Sequence, residues 1–115
     1  MPAYNFKSRF AALVAQGRKR QTIRVRRLRP TKPGDKLKLY SGMRTKLCQL
    51  LAEGVCIEVT PIRITEVFVY LDGRQLTYRE MGDLARADGF GSIEEMVTFF
   101  SDTYGLPVEM ELIKW

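Results

Sequence analysis

Short segments in which polar and apolar residues alternate recur along this chain. Residues 20–27 and 36–40 alternate in this way, and residues 55–65 are rich in β-branched side chains around Pro61. A period of two is typical of a strand with one buried and one solvent-facing side, and a proline interrupts or bends such a strand. The other predicted strands are 67–71 and 74–77, joined by an Asp72-Gly73 hairpin turn, and 108–115.

Three segments have helical spacing instead. Apolar residues recur with that spacing from Phe6 onward until Gly17, so residues 6–16 predict an amphipathic helix. Two later segments also predict helices: 78–87, and a segment that begins with the capping box Ser92-Ile93-Glu94-Glu95 and ends near Tyr104.

Several strands and three helices without strict strand–helix–strand alternation indicate an α+β fold. Short strands with polar outer faces favour a small mixed β-barrel with about three flanking helices over an open sheet. The 115 residues are enough for a single domain, residues 1–115, and the chain has no repeat and no linker that would divide it.

Positive charge is concentrated in the first half of the chain. Residues 1–60 contain 14 lysines and arginines against 3 acidic residues, whereas residues 61–115 contain 5 against 10. Seven cations and no acid lie within residues 18–29. Such segregation predicts an anionic partner, with phosphate the obvious group, and the alternative is a solvated basic face.

The residue types that are missing exclude several kinds of chemistry. The chain has no histidine, and its two cysteines, Cys48 and Cys56, are not in CxxC spacing. A zinc site of the Cys/His type and any mechanism with a histidine base are therefore excluded, and we expect no metal and no cofactor. The chain has no apolar run near 18 residues and no secretory signal, so we expect a cytoplasmic protein without a membrane partner.

Four stretches, in order along the chain, resemble the ASCH (activating signal cointegrator homology) family. Residues 17–24 read Gly-Arg-Lys-Arg-Gln-Thr-Ile-Arg, which is similar to the family's Gly-x-Lys-x-x-Thr-x-Arg run after an N-terminal helix. The other three stretches are Lys32-Pro33-Gly34-Asp35 before a strand, Asp88-Gly89-Phe90 with Ser92 and Glu94-Glu95, and Leu112-Ile113-Lys114-Trp115 at the end.

The resemblance implies a PUA-like β-barrel with helices around a cleft, in a family associated with RNA or modified nucleosides. One bacterial branch hydrolyses the amide of N-acetylated cytidine with a lysine, a threonine and a glutamate. These roles would fall on Lys19, Thr22 and Asp88. The family usually has glutamate at the third position, and aspartate is one methylene shorter, whereas a proton-transfer group must reach its partner within about 3 Å.

The residues themselves allow the same chemistry. Thr22 is a nucleophile if a nearby lysine is held neutral, and the flanking Arg18 and Arg20 push the pKa of Lys19 down. Lys19 and Thr22 are three residues apart, so a regular strand would place them on opposite faces. A turn within residues 17–21 is required to bring them together.

Three functions remain open. The first is an RNA- or nucleotide-binding module, the second is a metal-independent amidohydrolase acting on a modified nucleoside such as N-acetylated cytidine, and the third is a protein-interaction domain whose acidic half docks a basic partner. Arginine suits bidentate phosphate contacts, and a tyrosine can stack on a base. The predicted nucleic-acid or phosphate contacts are Arg18, Lys19, Arg20, Arg24, Arg26, Arg44, Lys46 and, for stacking, Tyr40.

Overall fold

The computed structural model describes residues 2–115 as an α+β fold, which confirms the predicted class. The strands are β1 Ala3–Phe6, β2 Gln21–Arg24, β3 Lys36–Ser41, β4 Gln49–Val55, β5 Glu58–Ile64, β6 Val69–Leu71, β7 Arg74–Gln75 and β8 Val108–Lys114. The helices are α1 Ser8–Ala15, α2 Tyr78–Ala87 and α3 Ile93–Tyr104. No helix within residues 2–115 has both the length and the apolar composition to span a membrane.

The strands form two sheets that face each other across the core. The first sheet has the order β1-β3-β4, with β1 parallel to β3, and the second is antiparallel with the order β2-β8-β5-β6-β7. The Trp115 side chain, next to β8, joins the two layers. A Cβ built on Gly54 of β4 would lie 3.0 Å from Cδ1 of Trp115, and the Phe6 and Trp115 rings meet edge to face at 6.0 Å. Glycine at position 54 therefore lets the indole close the core.

No closed barrel is found within residues 2–115, so the predicted barrel is not confirmed. Where β1 and β2 approach each other, arginine side chains replace a backbone ladder. Arg24 donates a hydrogen bond to the carbonyl oxygen of Asn5 at 2.6 Å, and Arg27 donates one to the carbonyl oxygen of Ala3. Because side chains rather than backbone hydrogen bonds connect β1 and β2, the space between these two strands has room for a cavity.

Local turn and capping signals were predicted well. Asp72 and Gly73 both have positive φ, 49° and 80°, as a type I′ hairpin turn requires. The Ser92 hydroxyl accepts a hydrogen bond from the N–H of Glu95 at 3.1 Å, which starts α3 as predicted. The second half of that box differs, because the Glu95 carboxylate accepts from the N–H of Gly91 at 3.0 Å and pairs with Arg9.

Several element boundaries were predicted wrongly. The first helix begins at Ser8 rather than at residue 6, because Ala3–Phe6 pairs with β3 as a strand. The strand predicted over residues 20–27 ends at Arg24, where its pairing with β8 ends at Glu111. The strand predicted over residues 55–65 is β5, Glu58–Ile64, which contains Pro61 without a break, whereas Val55 is the last residue of β4. The strands predicted over residues 67–71 and 74–77 are shorter, Val69–Leu71 and Arg74–Gln75.

Candidate functional site

A cavity of about 260 Å³ lies between β1, β2 and the adjoining ends of the helices. We call it the Lys19 cavity. Its lining residues come from segments far apart in sequence and combine phenylalanine rings with ionisable and hydroxyl side chains. They are Asn5, Phe6, Lys7, Phe10, Lys19, Thr22, Ile23, Arg24, Asp88, Phe90, Phe99, Phe100, Thr103 and Tyr104.

The end of α1 turns the Lys19 side chain inward. Gly17 has φ of +73°, and the N–H groups of Gly17 and Arg18 donate to the carbonyls of Val14 and Leu13 at 3.1 and 2.8 Å. This is a Schellman termination, which reverses the chain in a left-handed residue that glycine adopts without cost. It is the turn that the sequence required for Lys19 and Thr22 to share a face. Both now line the same cavity.

Lys19 and Asp88 form a buried ion pair in this cavity. Lys19 is 2% exposed and Asp88 4% exposed. The Lys19 ammonium lies 3.2 Å from Oδ1 of Asp88 and donates to the backbone carbonyl of Asp88 at 2.5 Å. The aspartate carboxylate therefore reaches the lysine directly, although it is one methylene shorter than a glutamate. A buried pair of this kind requires close geometry and additional hydrogen bonds to offset its desolvation.

The end of α2 fixes the position of Asp88. Asp88 is the C-cap residue of this helix, and its N–H donates to the carbonyl of Leu84 at 3.0 Å. Gln21 donates from Nε2 to Oδ1 of Asp88 at 3.3 Å, which holds the carboxylate from the β2 side. Gln21 is buried, and sequence reasoning missed it because neither the strand pattern nor the resemblance gave it a role.

Thr22 and Arg24 form the second polar group of the Lys19 cavity. Thr22 is 3% exposed, and its Oγ1 accepts a hydrogen bond from Nε of Arg24 at 2.8 Å. The Arg24 guanidinium also lies 4.8 Å from the ring centre of Phe6, within cation–π range. Gln21, Thr22 and Ile23 are all buried, so the alternation of a buried and a solvent-facing side expected for residues 20–27 does not hold within β2. The β2 face that carries Thr22 and Arg24 borders the cavity instead.

Burial disfavours the charged form of both members of the ion pair. It lowers the pKa of Lys19 below its ordinary value, with the Asp88 charge opposing the shift and the Arg24 charge adding to it. Burial also raises the pKa of Asp88, with the Lys19 charge opposing. The cause predicted for Lys19, repulsion from Arg18 and Arg20, is replaced by desolvation and by Arg24. A lysine of this kind gives up its proton more readily than a surface lysine.

A cluster of phenylalanine rings forms the apolar wall of the Lys19 cavity. The ring centres of Phe10 and Phe90 are 5.4 Å apart, and those of Phe90 and Phe99 are 5.3 Å apart. The Lys19 ammonium lies 4.9 Å from the centre of the Phe10 ring. Sequence reasoning gave these rings no role in a site and did not connect them. Their one sequence signal is that Phe90 directly follows Asp88-Gly89.

The predicted phosphate contacts separate into two groups. Lys19 and Arg24 line the cavity, whereas the others do not. Tyr40 is half-buried in β3, in register with Asn5 of β1. The remaining predicted contacts are exposed on loops or helix ends: Arg18, Arg20, Arg26, Arg44 and Lys46. Within residues 2–115, no three His, Cys, Asp or Glu side chains form a group that could hold a metal ion.

A larger open depression of about 510 Å³ lies on the outer face of the second sheet. Its lining includes Arg63, Tyr70 and Glu109, and none of these three is buried. The Lys19 cavity is smaller but contains a desolvated ion pair and convergent hydrogen-bonding groups, so it is the stronger candidate site. Comparisons of the chain with protein-family models, with curated proteins and with solved structures gave no match.

Proposed function

We propose that the chain is an ASCH-type domain that binds one nucleoside unit, free or within RNA, in the Lys19 cavity. The observation that carries the proposal is the buried Lys19–Asp88 pair against a wall of phenylalanine rings. Well-packed apolar residues are often as stabilising as such a pair or more so, which favours a functional reason for it. A volume of about 260 Å³ suits a ligand the size of a nucleoside better than a larger cofactor.

The chemistry of the lining matches a nucleobase. Phenylalanine rings offer an apolar surface on which a base can stack. The polar groups supply both kinds of hydrogen-bonding partner: Lys19 and Arg24 donate, the Asp88 carboxylate accepts, and the Thr22 hydroxyl does both. A base edge also presents both donors and acceptors, so groups of these two kinds can pair with it.

The architecture that we propose is PUA-like, with the two sheets as the walls of an incompletely closed barrel. Support comes from Trp115, which packs against Gly54 of the opposite sheet and against Phe6 of β1. In this arrangement α1 follows β1 and returns the chain to β2, so the cleft lies where the two walls separate. The Lys19 cavity occupies that position.

Titration of the protein with cytidine and with N-acetylated cytidine by calorimetry tests the binding proposal. Thr22→Val preserves the shape of the side chain and removes the hydroxyl, so we expect affinity to fall about tenfold. Thr60→Val is the matched control, because Thr60 is half-buried in β5 and does not line the cavity. The proposal would be contradicted if neither ligand bound, or if the two variants had equal affinities.

A second candidate function is hydrolysis of the amide of N-acetylated cytidine. It is favoured by the lowered pKa of Lys19 in the cavity that also contains the Thr22 hydroxyl. In the proposed reaction the neutral Lys19 amine takes the hydroxyl proton while Thr22 Oγ1 attacks the acetyl carbonyl. The protonated form of Asp88, favoured by its raised pKa, donates a proton to the departing cytidine amine. Water then hydrolyses the acetyl-threonine ester to acetate and regenerates the hydroxyl.

A chromatographic assay separates the two functions. We expect the wild type to release cytidine and acetate, and Lys19→Ala to release neither while remaining folded. Thr22→Ser provides a further readout, since it keeps the nucleophile and we expect it to retain turnover that Thr22→Val loses. If cytidine binds but N-acetylated cytidine is not hydrolysed over hours at high protein concentration, the hydrolase function is excluded and the binding function stands.

A further inference from the structure

Two basic loops are attached to β1, the strand that forms one edge of the Lys19 cavity. The loop over residues 25–35 is held by Arg27, whose guanidinium donates to the carbonyl oxygen of Ala3. The loop over residues 42–48 is held by the N–H of Met43, which donates to Oδ1 of Asn5 at 3.0 Å. These two points on β1 are two residues apart, about 7 Å along a strand. Asn5 itself lines the cavity.

The first loop forms a basic depression near the start of β1, where Pro2 is part of its lining. Its volume is about 500 Å³, and Arg27, Arg29 and Lys36 line it together with the carboxylate of Asp35. Oδ2 of Asp35 accepts a hydrogen bond from the backbone N–H of Lys32 at 2.9 Å, so this carboxylate already has a partner within the loop. The three cations therefore outnumber the single acid at the surface.

The exposed cations of both loops lack acidic partners within residues 2–115. Arg26 and Arg29 of the first loop, and Arg44 and Lys46 of the second, form no ion pair there. Some surface cations elsewhere in residues 2–115 are paired, for example Arg74 with Glu80 at 2.8 Å, whereas Arg63 and Arg79 form no ion pair there. Unpaired cations on loops that flank one cavity repel one another, and a chain of anionic groups would relieve that repulsion.

We propose that the ligand is one residue of a single-stranded polynucleotide, with its base in the Lys19 cavity and its neighbouring phosphates on the two basic loops. This inference rests on the proposed function and adds the class of ligand to it. A free nucleotide has phosphate at one end only, whereas the cations lie near both ends of β1. A base within a duplex is stacked and paired, so only a strand with an unstacked base can enter the cavity.

Fluorescence anisotropy with labelled twelve-nucleotide RNA and DNA single strands of one cytidine-containing sequence tests this inference. We expect at least one of the two strands to bind about tenfold or more tightly than cytidine, because each phosphate contact releases counterions. Arg29→Gln combined with Arg44→Gln removes one cation from each loop. It should lower the slope of log affinity against log salt by about 1.4, since a single strand contributes about 0.7 for each contact. Cytidine affinity should change by less than about twofold, since cytidine has no phosphate.

Arg63→Gln combined with Arg79→Gln is the control, because it removes the same charge from exposed positions outside both loops. We expect it to leave the salt slope of strand binding unchanged. The inference would be overturned if cytidine bound and neither strand had a higher affinity than cytidine. It would also be overturned if a duplex bound as tightly as the single strand. Either result would leave nucleoside binding in place. Strand binding that is unaffected by Thr22→Val would also overturn the inference. If cytidine and both strands fail to bind, the proposed function falls together with the inference.

Discussion

The Lys19 ammonium lies 3.2 Å from Oδ1 of Asp88, although 69 residues separate the two in sequence. Both residues are almost fully buried, and Gln21 also donates to the same carboxylate oxygen. The pair joins the end of α1 to the end of α2 and borders the cavity for which we propose a nucleoside. Its two charges are therefore coupled to stability and to ligand binding, and the predictions below separate these roles.

The first prediction concerns the coupling of the pair in folding. Lys19→Met and Asp88→Asn each leave a buried partner without its counter-charge, so we expect each to lower the free energy of unfolding by about 3–5 kcal/mol. The double variant should lose about 0.5–3 kcal/mol less than the sum of the two, as measured by urea denaturation. Lys114→Met is the control, because Lys114 pairs with Glu58 near the surface and should cost at most about 1 kcal/mol. Additive losses at Lys19 and Asp88 would contradict the coupling.

The second prediction concerns the pH dependence of stability. The pKa of Lys19 is lowered in the folded protein, so between that value and 10.5 the unfolded chain binds the proton more strongly. The free energy of unfolding therefore increases as pH rises through this window. Below the window Lys19 is protonated in both the folded and the unfolded state, and this contribution to stability is lost. We expect the difference in urea midpoint between the wild type and Lys19→Met to widen in favour of the wild type as pH increases. A difference independent of pH over this window would show that Lys19 titrates normally.

The third prediction tests the packing that positions Asp88. Gly89 has φ of +98°, and a Cβ there would lie 2.9 Å from Cδ1 of Phe10. Gly89→Ala therefore combines backbone strain with a clash against α1, and we expect a loss of about 2–4 kcal/mol together with weaker nucleoside binding.

Gly34→Ala is the matched control for this change. Gly34 has φ of +95° and nothing within 4 Å of the added Cβ, so it measures the strain without the clash. We expect a loss of about 1–2 kcal/mol by urea denaturation and no change in nucleoside affinity. Equal losses for the two glycines would show that the contact between position 89 and Phe10 does not constrain the site.

The fourth prediction concerns the arginine that spans β1 and β2. Arg24 donates to Oγ1 of Thr22 at 2.8 Å and to the carbonyl oxygen of Asn5 at 2.6 Å, a geometry that needs the planar fork of a guanidinium. Arg24→Lys keeps the charge but cannot make both contacts, so we expect nucleoside affinity to fall about tenfold in calorimetry. Arg26 lies two residues further along the chain and is exposed, so Arg26→Lys should have no effect on nucleoside affinity. Equal affinities for the two variants would exclude a role of the Arg24 geometry in binding.

Local chemistry explains the elements that the sequence predicted correctly. The Asp72-Gly73 turn, the Ser92 cap and the helix over 78–87 depend on contacts within a few residues, which the sequence displays directly. Lys19, Thr22 and Asp88 were predicted as one site from the resemblance, and the structure places all three in one cavity. Whether they act together on a ligand stays a prediction.

The missed features depend on long-range pairing. Ala3–Phe6 carries no strong strand signal of its own and becomes β1 by pairing in parallel with β3. The Phe90 and Phe99 rings belong to the cavity only because the α2–α3 connection and α3 place them beside Phe10 of α1. Sequence spacing cannot show such neighbours, because each segment satisfies its own helical period without them.

By itself, the sequence determined the α+β class, the three helices, the turn chemistry and the concentration of cations in the first half of the chain. The tertiary structure alone decided that the two sheets stay separate between β1 and β2, and that Arg24 and Arg27 bridge the gap. It also decided that the pKa of Lys19 is lowered by burial rather than by its neighbours in sequence. Propensity, capping and charge act over a few residues, whereas desolvation and sheet closure depend on which distant segments exclude water from one another.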